Sequence, residues 1–208
     1  MRSEKAPRGS FIEAARRAQI IEAAIETVAA VGYGQASLAR IARHAGISKS
    51  VISYHFAGKG ELLEQVVTQV IEDWGTFMQP LLDAETTAAG RLRTYIRSRL
   101  AYMESHAIRL AAVAEIIVNH RDIDGTPHFA ETDAEPVPEL IEIMRGGQRD
   151  GELRDFDPRV LAVTVTQAID GALTQWMEDS TVDLAAYADE LITVFELATR
   201  RQHPPLRS

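Results

Sequence analysis

An all-α fold is predicted by three observations. Apolar residues recur at spacings of three and four along most of the chain, which is the helical period. No stretch alternates apolar and polar residues with the period of two that a half-buried strand requires. Glycine and proline fall largely between the periodic segments, where helices start and stop.

The elements follow in order. A first helix over about residues 11–31 carries Ile21, Ala24, Ile25, Val28 and Val31 as one stripe and ends at Gly32. Ser37 is placed to cap a short second helix with Leu38, Ile41 and Ala45 inward, stopped by Gly46. Ser48 is placed to cap a third, anchored by Ile52 and Phe56, and Gly58 and Gly60 mark the next break. A longer helix over about 59–78 puts Leu62, Leu63, Val66, Val67, Val70, Trp74 and Phe77 on its apolar side, and Pro80 is expected to close it. Helices over about 88–105 and 106–120 precede a loop, 121–135, rich in Asp, Gly, Thr and Pro. A short helix over 136–149 and two longer ones over 158–178 and 183–200 complete the chain, the last two introduced by Asp157-Pro158 and Asp183. Residues 1–10 read as a disordered basic arm and 201–208 as a frayed tail.

The chain has 208 residues, 46% of them apolar, enough for a substantial core. The absence of cysteine excludes disulfides and thiolate metal sites. No run approaches the roughly 18 apolar residues of a membrane span, and no apolar export signal opens the chain, so a cytoplasmic location without membrane attachment is expected. The net charge of −8 hides an asymmetry. Residues 1–60 hold nine Lys and Arg against four acids, a surplus of five that leaves the remainder at −13. A basic head on an acidic body suggests one module that meets a polyanion and another that does not.

Within the head, 37-SLARIARHAGISKSVISYHF-56 has the form of a helix-turn-helix: two short helices joined by a tight glycine turn, one to enter a major groove and one to brace it. Ala42 and Ala45 permit close packing, and Ile41, Ile47 and Ile52 form a shared core, leaving Lys49, Ser50, Val51 and Tyr54 facing away. Five features in register extend the pattern: Ile21 with Ala23-Ala24, Gly32-Tyr33, Ser37 with Ile41-Ala42, Ala45-Gly46-Ile47-Ser48, and His55-Phe56 followed by Lys59 and Leu62. The stretch from Ile20 through Leu62 thereby resembles the DNA-binding domain of TetR-type (tetracycline-repressor-like) transcriptional regulators.

The resemblance implies an N-terminal three-helix helix-turn-helix domain over residues 11–58 and a helical ligand-binding and dimerisation domain over 59–200. It implies that Lys49, Ser50 and Val51 approach base edges while Tyr54, His55 and Lys59 grip phosphates. Lysine donates to guanine O6 or N7, and a valine methyl meets a thymine methyl. Ser37 serves as N-cap, as phosphate donor or as both, and Arg40 and Arg43 either touch the DNA backbone or are solvated surface charge. Two departures stand out: Ser53 occupies the usual tyrosine position with Tyr54 one place later, and Ala39 cannot reach far. Readout then leans on the third helix and on the arm around Arg2, Lys5 and Arg8, placed for a minor groove.

In the last helix Leu184, Ala188, Leu191, Phe195 and Ala198 form a heptad-like seam. Ala168, Gly171 and Ala172 on the preceding helix permit close approach, and a homodimer through these two helices is expected, as the resemblance also implies. The alternative is that the same stripes face the chain's own core. Trp74, Phe77, Met78, Tyr95, Tyr102, Met103 and Trp176 lie on helices that in the family surround an effector cavity, with His106, Asn119, His120 and Gln175 as polar groups to orient a small hydrophobic or amphipathic ligand.

Enzymatic readings find little support. His120-Arg121-Asp122 lacks the Gly-rich loop of a kinase, and Asp122-Ile123-Asp124-Gly125 lacks the turn glycine and closing glutamate of a calcium loop. His120 and His128 flank these aspartates, but no metal or cofactor is assigned. The expectation is a non-enzymatic repressor that binds double-stranded operator DNA and is released by an effector. A regulator without effector, and an all-α enzyme or lipid carrier, remain the alternatives.

Overall fold

The computed structural model describes residues 8–122, 124–129 and 137–201, with side chains from Phe11 onward. The arm at Arg2 and Lys5, Ile123, residues 130–136 and the tail from 202 to 208 lie outside the described residues. Nine α-helices occur among the described residues: α1 Arg8–Gln35, α2 Leu38–His44, α3 Lys49–His55, α4 Lys59–Asp83, α5 Ala88–Ser105, α6 Ala107–Asn119, α7 Pro138–Arg149, α8 Pro158–Glu178 and α9 Leu184–Thr199. Extended pairing there is confined to two isolated bridges, Arg121 with Pro127 and Leu153 with Arg200. The all-helical expectation is met.

Three helix starts are fixed by side chains that the sequence singles out. Ser37 Oγ accepts from the Arg40 N–H at 3.3 Å. Asp157 accepts from the N–H groups of Arg159 and Val160, and Asp183 from those of Ala185 and Ala186. Three details differ. Ser48 makes no side-chain cap on α3, because its hydroxyl pairs instead with Ser50 Oγ at 2.8 Å. The chain breaks at Gly32, with φ 76° and ψ 162°, but helical backbone resumes as far as Gln35. Pro80 does not close α4, which continues to Asp83. Proline leaves the carbonyl four residues earlier, on Thr76, without its helical partner, but both residues are exposed, so solvent can take the place of the missing donor.

The chain packs as two compact units, one holding the described residues of 1–74 and 107–132, the other those of 75–106 and 133–208. The first unit's core is drawn from every helix in it: Ile20, Ile25 and Val28 of α1, Ile41 of α2, Ile52 of α3, Leu62, Leu63 and Val66 of α4, and Ala112 and Ile116 of α6. Arg109 of α6 clamps this core from its edge, one guanidinium nitrogen 2.5 Å from Glu22 of α1 and another 2.7 Å from Asp73 of α4. The helix-turn-helix thus shares its core with α6 and the first part of α4.

In the second unit α5 is central and packs on α7, α8 and α9. Its residues Leu92, Tyr95, Ile96 and Leu100 are buried, as are Leu140 and Met144 of α7, Val165 and Ile169 of α8, and Ala188 and Phe195 of α9 on the helices packed against it. Gly147 lets α7 close on the start of α5: a Cβ there would lie 2.4 Å from the Ala88 Cβ and 2.7 Å from Leu153 side-chain carbons. Beyond α7 the backbone N–H of Arg154 donates to the Thr199 carbonyl at 3.0 Å, tying the segment after α7 to the end of α9.

Candidate DNA-reading surface

Helix α3 is positioned by a turn and by two side chains of α1. At the turn Gly46 adopts φ 66°, a left-handed conformation that glycine accepts without steric cost. The Ile47 N–H then returns to the Ala42 carbonyl at 3.0 Å. Gln19 of α1 donates to the Ala45 carbonyl at 3.0 Å and holds the turn. Arg17 holds the far end of α3: its guanidinium donates to the His55 carbonyl and stacks 4.3 Å from the centre of the Phe56 ring. The sequence reading counted Arg17 only as positive charge.

With Ile52 fully buried, the opposite face of α3 is turned to solvent. Lys49, Ser50 and Tyr54 are exposed and Val51 is half-buried. Tyr54 is 78% exposed, an outlay of apolar surface that its own unit does not use. Lys49 has no hydrogen-bond or ion-pair partner among the described residues, so its ammonium is available to an incoming acceptor. An open groove of about 620 Å³ joins Val51, Tyr54 and His55 to Ile12, Glu13 and Arg16 of α1. Arg16 thereby adds a cation to the surface that the motif alone did not indicate. Ser37 is exposed beside its capping role, and Arg40 is half-buried with its guanidinium 3.4 Å from Gln35 Oε1. Arg43 is exposed.

Lys59 and His55, expected to grip phosphates, are both half-buried. Lys59 is half-buried, donates to the Tyr33 carbonyl at 2.5 Å and sits 4.1 Å from the centre of the Tyr33 ring. Desolvation holds its ammonium below the usual lysine pKa. Its charge is spent on securing the end of α1 to the start of α4. His55 is half-buried behind Tyr54, whose ring meets it edge-on at 5.0 Å, and its Nδ1 is buried without a hydrogen-bond partner.

The residues expected at an effector cavity are divided between the units. Trp74 and Asn119 belong to the first, where Asn119 is exposed and its amide donates to the Glu115 carbonyl at 2.9 Å. In the second, Phe77, Tyr102 and His106 form a ladder: Phe77 to Tyr102 at 5.1 Å, then Tyr102 stacked on His106 at 3.9 Å. Met78 and Met103 are buried in that unit's core and Trp176 is half-buried on α8. A cleft of about 480 Å³ in the second unit has a different and mainly polar lining, including Gln79, Arg91, Glu139 and Arg149. A polar group inside this unit was missed by the sequence reading. Arg99 lies 3.7 Å from Asp170 and its guanidinium reaches the Tyr95 hydroxyl at 3.5 Å. Burial raises the Asp170 carboxyl above its ordinary value against the pull of Arg99, and burial likewise raises the Tyr95 phenol. The signal was available, since Arg99 falls on the same stripe of α5 as Leu92, Tyr95 and Ile96.

Of the expected dimer residues, Ala172, Leu184, Ala188 and Phe195 are buried within the single chain, and Ala168 and Leu191 are half-buried. Their stripe on α9 faces α5, which covers it. The apolar residues left outward are Val160, Val163 and Met177 on α8 and Val194 and Leu197 on α9.

A three-helix head with a buried core and one exposed short helix, carried by a chain that is otherwise helical among the described residues, has the form of a helix-turn-helix domain on a helical body. Residues 20–66 match the family model described as bacterial regulatory proteins, tetR family. Over 60 residues the chain is 47% identical to the HTH-type transcriptional regulator BetI 1 of Chromohalobacter salexigens, a match covering 29% of this chain and 30% of that protein. The chain therefore spans less than a third of the length of that relative. A longer match, 24% identical over 176 residues, covers 84% of this chain and 90% of the fatty acid metabolism regulator protein of Bacillus subtilis. The crystal structure of the transcriptional regulator FadR from Bacillus subtilis in complex with stearoyl-CoA superposes with a TM-score of 0.72 at 23% identity, covering 85% of this chain and 96% of that one. At that identity the likeness speaks for the fold, and it extends over both units.

Proposed function

We propose that the protein is a cytoplasmic, homodimeric transcriptional repressor that binds double-stranded operator DNA through α3 and is released by a small amphipathic effector. The observation that carries the reading is α3 itself: Ile52 anchors it while Lys49, Ser50 and Tyr54 stand exposed on the opposite face. Lys49, Ser50 and Val51 read base edges, and Tyr54 and Ser37 contact phosphates, with Arg16, Arg40 and Arg43 supplying backbone charge. A single short reading helix needs a second copy to reach useful specificity, which favours the two-fold dimer. Among the described residues no helix is long and apolar enough to cross a membrane.

The effector is assigned to the second unit, where the Phe77–Tyr102–His106 ladder offers apolar contact and Arg99 with Asp170 and Tyr95 offers a polar anchor. Likeness over most of the chain to a fatty acid metabolism regulator, and to FadR solved with stearoyl-CoA, supports an acyl-type ligand. Such a ligand needs to favour the DNA-free state by only a few kcal/mol to act as a switch. The test is a genome-wide pull-down with the purified protein, followed by titration of the enriched site with acyl-CoA esters. A palindromic site, bound with strong salt dependence and released by an acyl ester, is the expected result. No enriched site defeats the DNA-binding reading, and a site that no such ester releases defeats the effector reading alone.

A further inference from the structure

We propose that Glu64, His120 and His128 hold a transition-metal dication of the zinc class within the first unit, away from the reading face of α3. Glu64 stands on the first part of α4, His120 directly follows α6, and His128 lies on the loop beyond it. That loop folds back on itself: the His128 N–H donates to the His120 carbonyl at 3.1 Å and the Asp122 N–H to the Thr126 carbonyl at 2.9 Å. The two imidazoles come edge to face with their centres 4.9 Å apart. Gly60, one turn before Glu64, leaves room for the approach, since a Cβ there would already lie 3.4 Å from His120 Cε1.

The ligand atoms converge. His120 Nε2 is 3.2 Å and His128 Nε2 3.8 Å from the same oxygen, Glu64 Oε1, and all three atoms lie within 4.8 Å of one another. Donors around a tetrahedral zinc ion, with bonds of about 2.0–2.1 Å, are spaced about 3.4 Å apart. A small contraction of two side chains completes the geometry. The opposite ring nitrogens are already held from behind, His120 Nδ1 by the Tyr33 hydroxyl at 2.9 Å and His128 Nδ1 by Asp122 Oδ1 at 2.6 Å. With the protons on both Nδ1 atoms, the two Nε2 lone pairs face Glu64, the outer-shell arrangement that orients metal-bound histidines. Phe129 walls the group, 4.8 Å from the His128 ring and 5.9 Å from that of His120.

Two imidazoles and one carboxylate suit Zn²⁺, Co²⁺ or Ni²⁺ better than Mg²⁺ or Ca²⁺, which prefer all-oxygen shells, or Cu⁺, which prefers sulfur. Three protein ligands leave a fourth position for water or an exogenous donor. Only Phe56, Ala57 and Gly58 separate α3 from α4, so an ion here fastens the end of α6 to the helix that follows the reading helix.

The test uses the full-length protein stripped of metal with a chelator and titrated with Co²⁺, then Zn²⁺. One Co²⁺ per chain with the intense visible absorption of a tetrahedral site, displaced by Zn²⁺, is expected, together with a zinc-dependent rise in melting temperature. His128→Ala and Glu64→Gln should each weaken Co²⁺ binding by about tenfold or more. Both side chains are partly exposed, so the variants remain folded, which circular dichroism checks. Binding that does not saturate at one ion per chain, or that both variants leave unchanged, overturns the proposal.

Discussion

Lys49 and Lys59 carry the same charge in opposite situations. Lys49 is exposed and without a partner among the described residues, whereas Lys59 is bound to the carbonyl and ring of Tyr33. Lys59→Ala should therefore lower folding stability by about 1–2 kcal/mol, from one charged hydrogen bond and one cation–π contact. Lys49→Ala should change stability by less than about 0.5 kcal/mol yet weaken operator binding and alter base preference. Urea melts beside operator titrations check both, and a Lys59→Ala protein as stable as the parent would restore a phosphate role to Lys59. Asp170 supplies a pH signature in the second unit. Its carboxyl is raised above the ordinary 3.8 by burial, with Arg99 opposing. Over the interval between the unfolded and folded values the native state keeps a proton that the unfolded chain has released, so this group makes stability fall as pH rises. Asp170→Asn should remove that component, which urea unfolding across the acid range will show as a changed slope against pH.

At the scale of the helices, Gly147 tests how tightly α7 is set against α5. Gly147→Ala places a methyl 2.4 Å from Ala88 Cβ and should cost about 1–3 kcal/mol, read as a drop in calorimetric melting temperature. A variant that melts with the parent would mean that α7 shifts freely. Helices of this kind were largely legible in the sequence, because a 3.6-residue stripe and an Asp or Ser before it are local signals, as Asp157 and Asp183 show. Pro80 misled because helix termination by proline depends on whether water can reach the orphaned carbonyl, which is a tertiary fact. On the candidate site, Lys49, Ser50 and Tyr54 were legible as the side of α3 opposite Ile52. Arg17 and Lys59 were not, since their partners His55 and Tyr33 are far away in sequence. Glu64 went unnoticed beside His120 and His128 for the same reason: nothing local joins α4 to the loop after α6.

On the proposed reading, operator recognition depends on a property of the whole molecule, the association of two chains. The apolar stripe Leu184, Ala188 and Phe195 is consumed by packing of α9 on α5, so it cannot also serve a partner. What remains outward on α8 and α9, two helices that pack together, is Val160, Val163, Met177, Val194 and Leu197, with Leu191 half-buried beside them. Such surface is costly to leave in water and is the natural material of a two-fold interface. The two kinds of residue should then respond differently to substitution. Leu197→Glu leaves the monomer core intact but carries a carboxylate into the interface, where it lacks a cation, and should dissociate the dimer while the melting transition of the chain persists. Phe195→Ala empties a core site and should cost about 3–5 kcal/mol of folding stability, leaving any folded fraction able to pair. Sedimentation velocity across a concentration series distinguishes them, with operator titrations alongside, because a monomer can occupy only one half-site. If Leu197→Glu sediments as the parent does while Leu191→Glu dissociates, the interface follows the heptad positions read from the sequence instead of the outward face.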